Sequence, residues 1–593
     1  MDYAHGATRD GDRTRFRLWA PNADEVTLVL GGQDHQMTRG EGGWREARVA
    51  AAPGTPYQFR VGDTLVPDPA SRAQQEDVHG PSLVTDPDAY EWQHADWRGR
   101  PWAEAVIVEL HVGAATPEGT FDALRRKLGH YRDLGVTAIE LLPVADFAGT
   151  RNWGYDGVLP YAPDTAYGTP DDLRRLIDEA HGLGLMMFID VVYNHFGPDG
   201  NYLGLYASDF FDEEKHTPWG AALNFSQQAV RDYFAQNAIM WLTEYRFDGI
   251  RFDAVQAISD MAEAEGQAHF LEEMAQAIRA ATRSAAGADR HVHLILENDD
   301  NEAGLLRRED GAVPLYDAQW NDDFHHVVHR LITGETDGYY EDYDEPAERL
   351  ARVLSEGFAY QGERSDHRDG AARGTPSAHL PPTAFCSFIQ NHDQVGNRAM
   401  GDRIDQAALC EEAVVAATAL YLLSPQVPML WMGEEWASSA PFPFFCDFDG
   451  ELADAVREGR RREFARFDKF KDPAMREMIP DPNAEETFLS AKLDWQELGR
   501  GAHARRLDLF RTLIALRHEH VVPLLGGAAP AAASGVRAGA VRASWSFPNT
   551  TLTIDVNLSE APAALPPVAP PFYATPGADG DALPPWSLRA TAA

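Results

Sequence analysis

Three apolar stretches of the sequence end in acidic residues. The stretch FDGIRFD contains Arg251 and Asp253 two positions apart, inside a run otherwise suited to burial. Glu297 ends HLILE, and Asp393 ends FIQNHD. Paired carboxylates suit cleavage of a glycosidic bond, because one acts as nucleophile and the other as a protonated acid, about 5–5.5 Å apart in retaining enzymes.

Local sequence assigns roles to these carboxylates. A cation beside a carboxylate favours its charged form, so Arg251 predicts that Asp253 is the ionised nucleophile. Glu297 ends an apolar run and has no such neighbour in sequence, which predicts a raised pKa and an acid/base role. Metal-assisted hydrolysis is the rival chemistry, with His195 or His392 as possible ligands, although no HExxH pair occurs.

Eight short apolar runs, most of them separated by helical patterns, must position these residues. Alternating strands and helices predict a parallel sheet covered by helices, and eight such units predict a closed (β/α)8 TIM barrel. Thr120, Thr169 and Ser226 are expected to cap helices, with Pro170 in a first turn. The predicted strands lie within 105–113, 138–144, 185–195, 247–255, 291–298, 315–322, 383–393 and 427–435.

Polar residues gather where these strands end. Side chains two residues apart on a strand point the same way, so Arg251 and Asp253 are expected to face the barrel lumen together. In such barrels the carboxyl ends of the strands carry the active site. The residues expected there from the other strands are Asp190, Asn194, His195, Glu297, His392 and Asp393.

The regions on either side of the predicted barrel have a different sequence pattern, so the chain is expected to be multidomain. Residues 1–95 show short alternating runs punctuated by Pro, Gly, Asn and Asp, which predict an N-terminal β-sandwich. The barrel is expected over 96–510, and a C-terminal β-sandwich domain over 511–593. The tail after about residue 585 is expected to be disordered.

Composition narrows the class of protein. A formal net charge of −40 argues against nucleic acid and against anionic membrane surfaces as partners. The chain has three cysteines, none in a CxxC pair, no apolar run of membrane-spanning length and no signal-like N-terminus, which predicts a cytoplasmic location. A non-catalytic sugar-binding barrel is disfavoured because all three acids are present.

Four motifs carry a resemblance to a known family. DVVYNH, GIRFDAV, ILEN and FIQNHD, in this order on predicted strands three, four, five and seven, resemble the signature regions of the α-amylase superfamily. The resemblance implies a retaining mechanism on an α-glucan, with Asp253 as nucleophile, Glu297 as acid/base and Asp393 as the acid that stabilises the transition state. It implies sugar-binding roles for Arg251, His392, Asp190 and His195.

A narrower resemblance covers most of the chain. VIVELHVGAATPEGTF, RNWGYDGVLPYAPDTAYGTPDDL, QNHDQVGNR and FFCDFDGELADAVREGRRREF look like the maltooligosyltrehalose trehalohydrolase family. That family hydrolyses the α-1,4 bond next to a terminal trehalose unit and releases trehalose. Glycogen branching enzymes share the N-terminal module and the barrel, and they are the alternative.

Aromatic side chains complete the expected binding surface. Trp153, Tyr155 and Tyr193 are predicted to stack on sugar rings, with loop packing as the competing interpretation for NWGYDG. Asp447 lies in an apolar segment, APFPFFCDFDG, that would either line the sugar pocket or cover the rim of the barrel. No cofactor and no catalytic metal are expected, while a structural calcium ion stays open.

Overall fold

Eight parallel strands close into a barrel in the computed structural model, which describes residues 3–593 except 218–219, 259, 261–267, 287–289, 466–469 and 527–529. Each strand pairs with the next along the chain, and the eighth pairs with the first. All eight predicted strands are confirmed. They are β1 Ile107–Leu110, β2 Ala138–Leu141, β3 Met186–Val191, β4 Gly249–Phe252, β5 His293–Leu296, β6 Ala318–Trp320, β7 Phe385–Ser387 and β8 Val427–Trp431.

Helices cover the outside of the barrel. The longer ones are Leu128–Leu134, Pro170–Gly182, Gln228–Thr243, Phe270–Ala286, Asp322–Thr333, Pro346–Glu356, Glu411–Leu423, Gly450–Phe464 and Gly501–Leu516. Short helices are Val112–Ala115, Phe121–Arg125, His392–Gly396, Ile404–Ala407, Pro473–Arg476 and Glu485–Ser490. Two-stranded hairpins in the loops pair Ala145–Asp146 with Leu159–Pro163, Phe211–Thr217 with Gly220–Leu223, and Glu363–Ser365 with Ala371–Arg373.

Two of the three predicted caps are confirmed. The Thr120 hydroxyl accepts a hydrogen bond from the Ala123 amide at 3.2 Å. Thr169 and Asp172 form a reciprocal capping box, and Pro170 opens that helix. The prediction for Ser226 was wrong.

Ser226 does not cap because a neighbouring asparagine holds it. Its amide and hydroxyl both donate to Asn224 Oδ1, at 3.2 and 2.5 Å, in a local turn. The helix begins after Gln227, whose side chain makes no capping hydrogen bond.

A buried aspartate ties β3 and β4 together at the amino end of the barrel. Asp248 is fully buried, and its Oδ2 accepts from the Met187 amide and from His181 Nε2, both at 3.0 Å. Burial alone would raise the pKa of this carboxyl, but His181 and Arg290 outweigh it and lower the pKa of Asp248 to about 2. The carboxylate therefore stabilises the folded barrel in its ionised form.

Two facing sheets form the N-terminal module, as predicted. One contains Gly6–Asp10, Arg13–Trp19, Thr38–Arg39 and Trp44–Val49, and the other contains Val26–Leu30, Gln33–Gln36, Pro56–Val61, Thr64–Val66 and Ser82–Leu83. Phe16 of the first sheet meets Tyr57 of the second with ring centroids 4.9 Å apart, so aromatic packing joins the two sheets.

The C-terminal region is an antiparallel five-stranded sheet with a small two-stranded partner. In spatial order its strands are Ala531–Arg537, Ala540–Phe547, Thr550–Asn557, Ser587–Ala592 and Pro571–Ala574, and the small sheet pairs Ala563–Ala564 with Ala582–Leu583. Trp545 Nε1 donates to the Leu354 carbonyl at 3.1 Å, which fastens this sheet to a barrel helix.

The expectation of a disordered tail was wrong. Ser587–Ala592 lies between two other strands, and Arg589 within it is fully buried with its Nε 2.8 Å from Asp555 Oδ2. The segment SLRATA, which ends in small side chains, was too short to read as a strand, although its first five residues are all buried. The predicted boundary at 510/511 falls inside the helix Gly501–Leu516, and the domain limits stay a prediction.

Candidate active site

Four acidic side chains meet at the carboxyl ends of the barrel strands. Asp190 is the fifth residue of β3, Asp253 follows β4 directly, and Glu297 follows β5 directly. Asp393 lies in the short helix His392–Gly396 that comes after β7. Their convergence follows from the parallel barrel, because its strands all end at one mouth.

Arg251 is the hub of this cluster. Its buried guanidinium donates to Asp190 Oδ2 at 2.6 Å and to Asp253 Oδ1 at 2.9 Å through Nη1, and to Glu297 Oε2 at 2.6 Å through Nη2. Its Cζ lies 4.1 Å from the ring centroid of Trp320. One cation thus holds carboxylates from three strands, and Asp253 and Glu297 each lie one hydrogen bond from the same group.

Glu297 has a cationic partner, contrary to the expectation from sequence. Arg251 contacts it, and the Ala254 amide donates to the same Oε2 at 2.8 Å. Even so, burial raises the pKa of Glu297 well above its usual range, and the charges of Asp253 and Asp393 add to that effect against the opposing Arg251. Sequence spacing shows only the neighbour two residues away, so it missed the contact across strands.

The turn after Asp253 makes that amide contact possible. Ala254 has φ 40° and ψ 49°, in the left-handed region that residues with a Cβ seldom adopt. Its amide thereby points across to Glu297. Backbone strain of this kind is concentrated at functional sites.

Asp253 is held by both of its carboxylate oxygens. Arg251 binds Oδ1, and the Asn194 amide nitrogen donates to Oδ2 at 2.9 Å and to the Asp253 carbonyl at 3.0 Å. The side chain keeps 12% exposure, so it is oriented and still accessible from the mouth. A fixed, accessible carboxylate is the geometry that attack on a bound substrate needs.

Tyr155 and Asp190 line the wall beside the hub. The Tyr155 hydroxyl donates to Asp190 Oδ2 at 2.6 Å, and its ring stacks on His392 with centroids 5.0 Å apart. Burial, which outweighs the attraction of Arg251, raises the pKa of Asp190 to about 6. Tyr155 therefore contacts the acidic cluster through Asp190. One face of its ring is already covered by His392, so only the other face is left to stack on a sugar.

His392 and Asp393 continue this wall, since His392 stacks on Tyr155. His392 Nε2 lies 3.5 Å from Asp393 Oδ2, and the Asn397 amide donates to Asp393 Oδ1 at 3.1 Å. Burial disfavours a charged imidazole, yet the carboxylates of Asp393 and Glu109 overcome it and raise the pKa of His392 to about 9. Asp393 is 32% exposed, the most open of the three predicted catalytic acids.

The other predicted binding residues on β2 and β3 loops differ in their access to the cluster. His195 Nε2 lies 3.0 Å from the Tyr155 carbonyl, and burial lowers its pKa. Trp153 is 4% exposed, stacks on Phe442 at 5.3 Å and donates from Nε1 to a backbone carbonyl. Tyr193 is directed to the helix layer, where its hydroxyl donates to Asn237 Oδ1 at 2.5 Å. The structure does not bring Tyr193 to the carboxylates.

Asp447 joins two loops at the rim. Its Oδ2 accepts from the amide and the hydroxyl of Thr150, both at 2.9 Å, and its Oδ1 pairs with Arg151 at 2.6 Å. The adjacent Phe442 is fully buried and packs on Trp431 with centroids 4.8 Å apart. The segment around Asp447 therefore covers the barrel rim, and its role in substrate binding stays a prediction.

Two residues of the cluster were missed from sequence. Trp320, at the end of β6, stacks on Arg251. Glu109, in β1, accepts two hydrogen bonds from His392. The signal for Glu109 was an acidic residue inside the apolar run AVIVELHVG, the same feature that drew attention to Arg251.

Two further findings bear on chemistry and placement. Among the described residues, no group of three His, Cys, Asp or Glu side chains is arranged to hold a metal ion. In the same part of the chain no helix has the length and apolar character needed to cross a membrane. The cluster itself offers a fixed carboxylate, a part-buried carboxyl with a raised pKa and a third acid, which suits retaining cleavage of a glycosidic bond.

Comparison with known families agrees with this arrangement. The family described as alpha amylase, catalytic domain, matches residues 85–219, and carbohydrate-binding module 48, the isoamylase N-terminal domain, matches residues 4–74. A 1.4 Å crystal structure of an alpha-amylase candidate from Salmonella typhimurium shares 46% sequence identity and a TM-score of 0.94, with all of both chains covered.

Curated relatives cover most of the chain. Identity is 43% over 519 residues to the malto-oligosyltrehalose trehalohydrolase of Deinococcus radiodurans, covering 86% of this chain and 82% of that protein. It is 44% over 518 residues to the enzyme of that name from Rhizobium sp. strain M-11, covering 85% and 84%. A 1,4-alpha-glucan branching enzyme from Rubrobacter xylanophilus is 32% identical over 297 residues, 44% of this chain and 41% of that enzyme.

Proposed function

Since the chain belongs to the malto-oligosyltrehalose trehalohydrolase family of the α-amylase superfamily, we propose that it releases trehalose from maltooligosyltrehalose by retaining hydrolysis at Asp253, Glu297 and Asp393. The bond cleaved is the α-1,4 linkage next to the terminal trehalose unit. The chain is a glycoside hydrolase, and the branching-enzyme alternative is not favoured, because the branching enzyme from Rubrobacter xylanophilus matches only 44% of it.

The observation that carries the proposal is the bridge made by Arg251. Its guanidinium binds Asp253 and Glu297 at 2.9 and 2.6 Å, so both carboxyl groups stand at one mouth and can flank one linkage. Burial raises the pKa of Glu297, which supports its holding a proton for the leaving oxygen. The more exposed Asp393 is the third acid beside them.

The first half of the reaction forms a covalent intermediate. Asp253 attacks the anomeric carbon while Glu297 gives its proton to the glycosidic oxygen. The carbon–oxygen bond breaks, an ester to Asp253 forms with inverted configuration, and trehalose departs with that proton. Charge on the reacting sugar is greatest in the transition state, where Asp393 contributes most.

The second half restores the enzyme. Glu297, now ionised, takes a proton from water as that water attacks the anomeric carbon. The ester to Asp253 breaks, and the glucan leaves with its original configuration after a second inversion. Glu297 regains its proton for the next cycle.

Two matched pentasaccharides test the substrate assignment. Maltotriosyltrehalose and maltopentaose are offered side by side, and free trehalose and glucose are quantified. We expect trehalose to appear rapidly from the first, with much slower cleavage of the second, since only the first carries the trehalose leaving group. New α-1,6 branches made from amylose would instead assign the chain to the branching enzymes.

Glycosyl fluorides test the roles of the two acids. Fluoride departs without a proton, so Glu297→Gln is expected to lose about 10²–10⁴-fold with maltotriosyltrehalose while keeping a rapid first-turnover release of fluoride from α-maltosyl fluoride. Later turnovers of the fluoride should be slow, because attack by water also needs Glu297. Asp253→Asn is expected to lose both, because no nucleophile remains. Asp133→Asn removes an exposed carboxylate from an outer helix and serves as the control. Near-normal hydrolysis by Glu297→Gln would reject its assignment.

We also propose a cytoplasmic location. Its support is that Cys386, Cys410 and Cys446 are all free thiols, as is usual in a reducing compartment. Fractionation of cells that express the native chain tests it.

A further inference from the structure

Glu109 makes two hydrogen bonds to a single histidine at the edge of the catalytic cluster. Its Oε1 lies 2.5 Å from His392 Nδ1, and its Oε2 accepts the His392 backbone amide at 3.0 Å. Both side chains are 1% exposed. A carboxylate cannot donate, so Nδ1 must carry the proton of this hydrogen bond. The tautomer and the ring plane of His392 are therefore set by β1, a strand that contributes none of the predicted catalytic acids.

Aromatic rings prevent His392 from turning away from this position. Tyr155 stacks on the imidazole with centroids 5.0 Å apart and planes 17° apart, and Trp153 meets it edge-on at 5.6 Å. Trp320 and Trp431 approach at 6.0 and 6.4 Å. With Nδ1 held by Glu109, the free edge of the ring is the Nε2 side, which faces Asp393 at 3.5 Å.

The charges around His392 come from several elements. Glu109 of β1 and Asp393 favour its cationic form, Arg251 of β4 opposes it, and His111 after β1 interacts with it. Glu140 of β2 lies opposite Glu109 in the strand register, and neither of its oxygens has a hydrogen-bond partner among the described residues.

The setting of Glu140 favours its neutral form. It is 1% exposed, and burial raises its pKa well above the usual range, with the nearby charges of Glu109 and Asp190 adding to the effect. Of the two adjacent lumen glutamates, Glu109 is the one that contacts His392, and it is therefore positioned to balance a charged ring. Glu140 is a matched control of the same size, one strand away.

We propose that Glu109 is a positioning residue that fixes the His392 ring and keeps both ring nitrogens protonated, so that Nε2–H is presented to a hydroxyl group of the sugar being cleaved. The second half of this inference rests on the proposed function. Glu109 itself contacts no substrate and acts through His392. A donor held in advance costs no reorganisation when the substrate binds.

The protonation of His392 is tested without substrate. NMR of protein labelled with ¹⁵N-histidine separates neutral from doubly protonated rings, and the His392 signal among 21 histidines is identified by its loss in His392→Gln. At about pH 7.5 we expect a doubly protonated ring in the native chain and in Glu140→Gln, and a neutral ring in Glu109→Gln, since burial then dominates. This readout is independent of which glucan is cleaved, so its failure is distinct from failure of the proposed function.

Kinetics test the positioning role. Glu109→Gln is expected to lower kcat for trehalose release by about tenfold or more with little change in KM, whereas Glu140→Gln stays within about twofold. In a His392→Gln background, adding Glu109→Gln should cost less than about threefold, because the residue through which it acts is already gone. Glu109→Asp keeps the charge but cannot reach both contacts, so it should retain the protonated ring and lose part of kcat.

Three outcomes would overturn the proposal. The first is a doubly protonated His392 in Glu109→Gln at about pH 7.5. The second is an equal loss of the His392 proton in Glu140→Gln, which would mean that replacing either lumen glutamate has the same effect on the ring. The third is full additivity of Glu109→Gln with His392→Gln. If Glu109→Gln does not fold, a neutral His392 in the native chain or in Glu109→Asp at the same pH refutes it directly.

Discussion

Replacing Arg251 by lysine tests the bridge on which the active-site geometry depends. The guanidinium reaches Asp190 and Asp253 through one nitrogen and Glu297 through the other, at 2.6, 2.9 and 2.6 Å. A lysine ammonium is a single nitrogen and cannot occupy both positions. At least one carboxylate therefore loses its charged partner in a buried setting.

The size of the effect follows from the contact that is lost. A hydrogen bond to a charged group contributes about 1.5–3 kcal/mol. If Glu297 loses its contact and is no longer held against the scissile bond, that energy is missing in the transition state. At about 1.4 kcal/mol per factor of ten, kcat/KM is expected to fall about 10- to 150-fold.

The assay measures initial rates of trehalose release at low substrate, with circular dichroism and thermal unfolding to confirm the fold. Arg125→Lys is the matched control, because Arg125 also contacts two acids, Asp122 and Glu179, but on the outer helices. It should stay within about twofold. A kcat/KM for Arg251→Lys within twofold of the native value, in folded protein, would refute the bridge as a catalytic requirement.

Three further predictions concern stability and metal dependence. Asp248→Asn should lower the free energy of unfolding by about 2–3 kcal/mol near pH 7, because the pKa of Asp248 falls from about 3.9 when unfolded to about 2 when folded. Since the folded pKa of Asp248 is depressed, this stabilisation is complete above about pH 5 and disappears as the pH falls towards 2. Denaturant titrations of both proteins at several pH values measure it. A difference in unfolding free energy between native and Asp248→Asn that is as large at pH 2.5 as at pH 7 would contradict it. Thr169→Ala should lower the free energy of unfolding by about 1 kcal/mol, because it removes the hydroxyl that accepts from the Asp172 amide. Thr169→Ser keeps a hydroxyl and should retain most of that stability. An equal loss in Thr169→Ser would contradict the capping role. EDTA should leave trehalose release unchanged; loss of turnover restored by a divalent cation would show that a metal takes part.

The barrel could be predicted because its strands are buried on both faces. Continuous apolar runs such as VPMLW and MMFIDV are distinctive, and helical patterns separate most of them. The predictions of helix caps were less reliable. Thr169 had its Asp172 partner in sequence, whereas Asn224 competed for Ser226 in a way that the spacing did not show. The last strand was missed because SLRATA is short and contains a buried arginine.

The candidate site could be predicted as a set of residues but not as a network. Charges inside apolar runs identified Arg251 and Glu297, and the same signal was present at Glu109 without being used. Contacts between strands could not be predicted from local spacing, because Arg251 and Glu297 are 46 residues apart along the chain. The solvent exposure of the aromatic side chains could not be predicted either. Trp153 and Tyr193 have the chemistry to stack on sugars, but packing against Phe442 and the bond to Asn237 depend on the folded loops.

The position of Ser587–Ala592 inside the C-terminal sheet affects how the protein is made. Its neighbours Thr550–Asn557 and Pro571–Ala574 are synthesised earlier but cannot form their shared pairings until this segment leaves the ribosome. The barrel helix that receives Trp545 is complete some 190 residues before that Trp emerges, as the separation of 191 residues to Leu354 shows. A stop codon just before residue 587 would thus expose two strand edges at once, and the nascent product should be found in aggregates rather than as a slightly shortened enzyme.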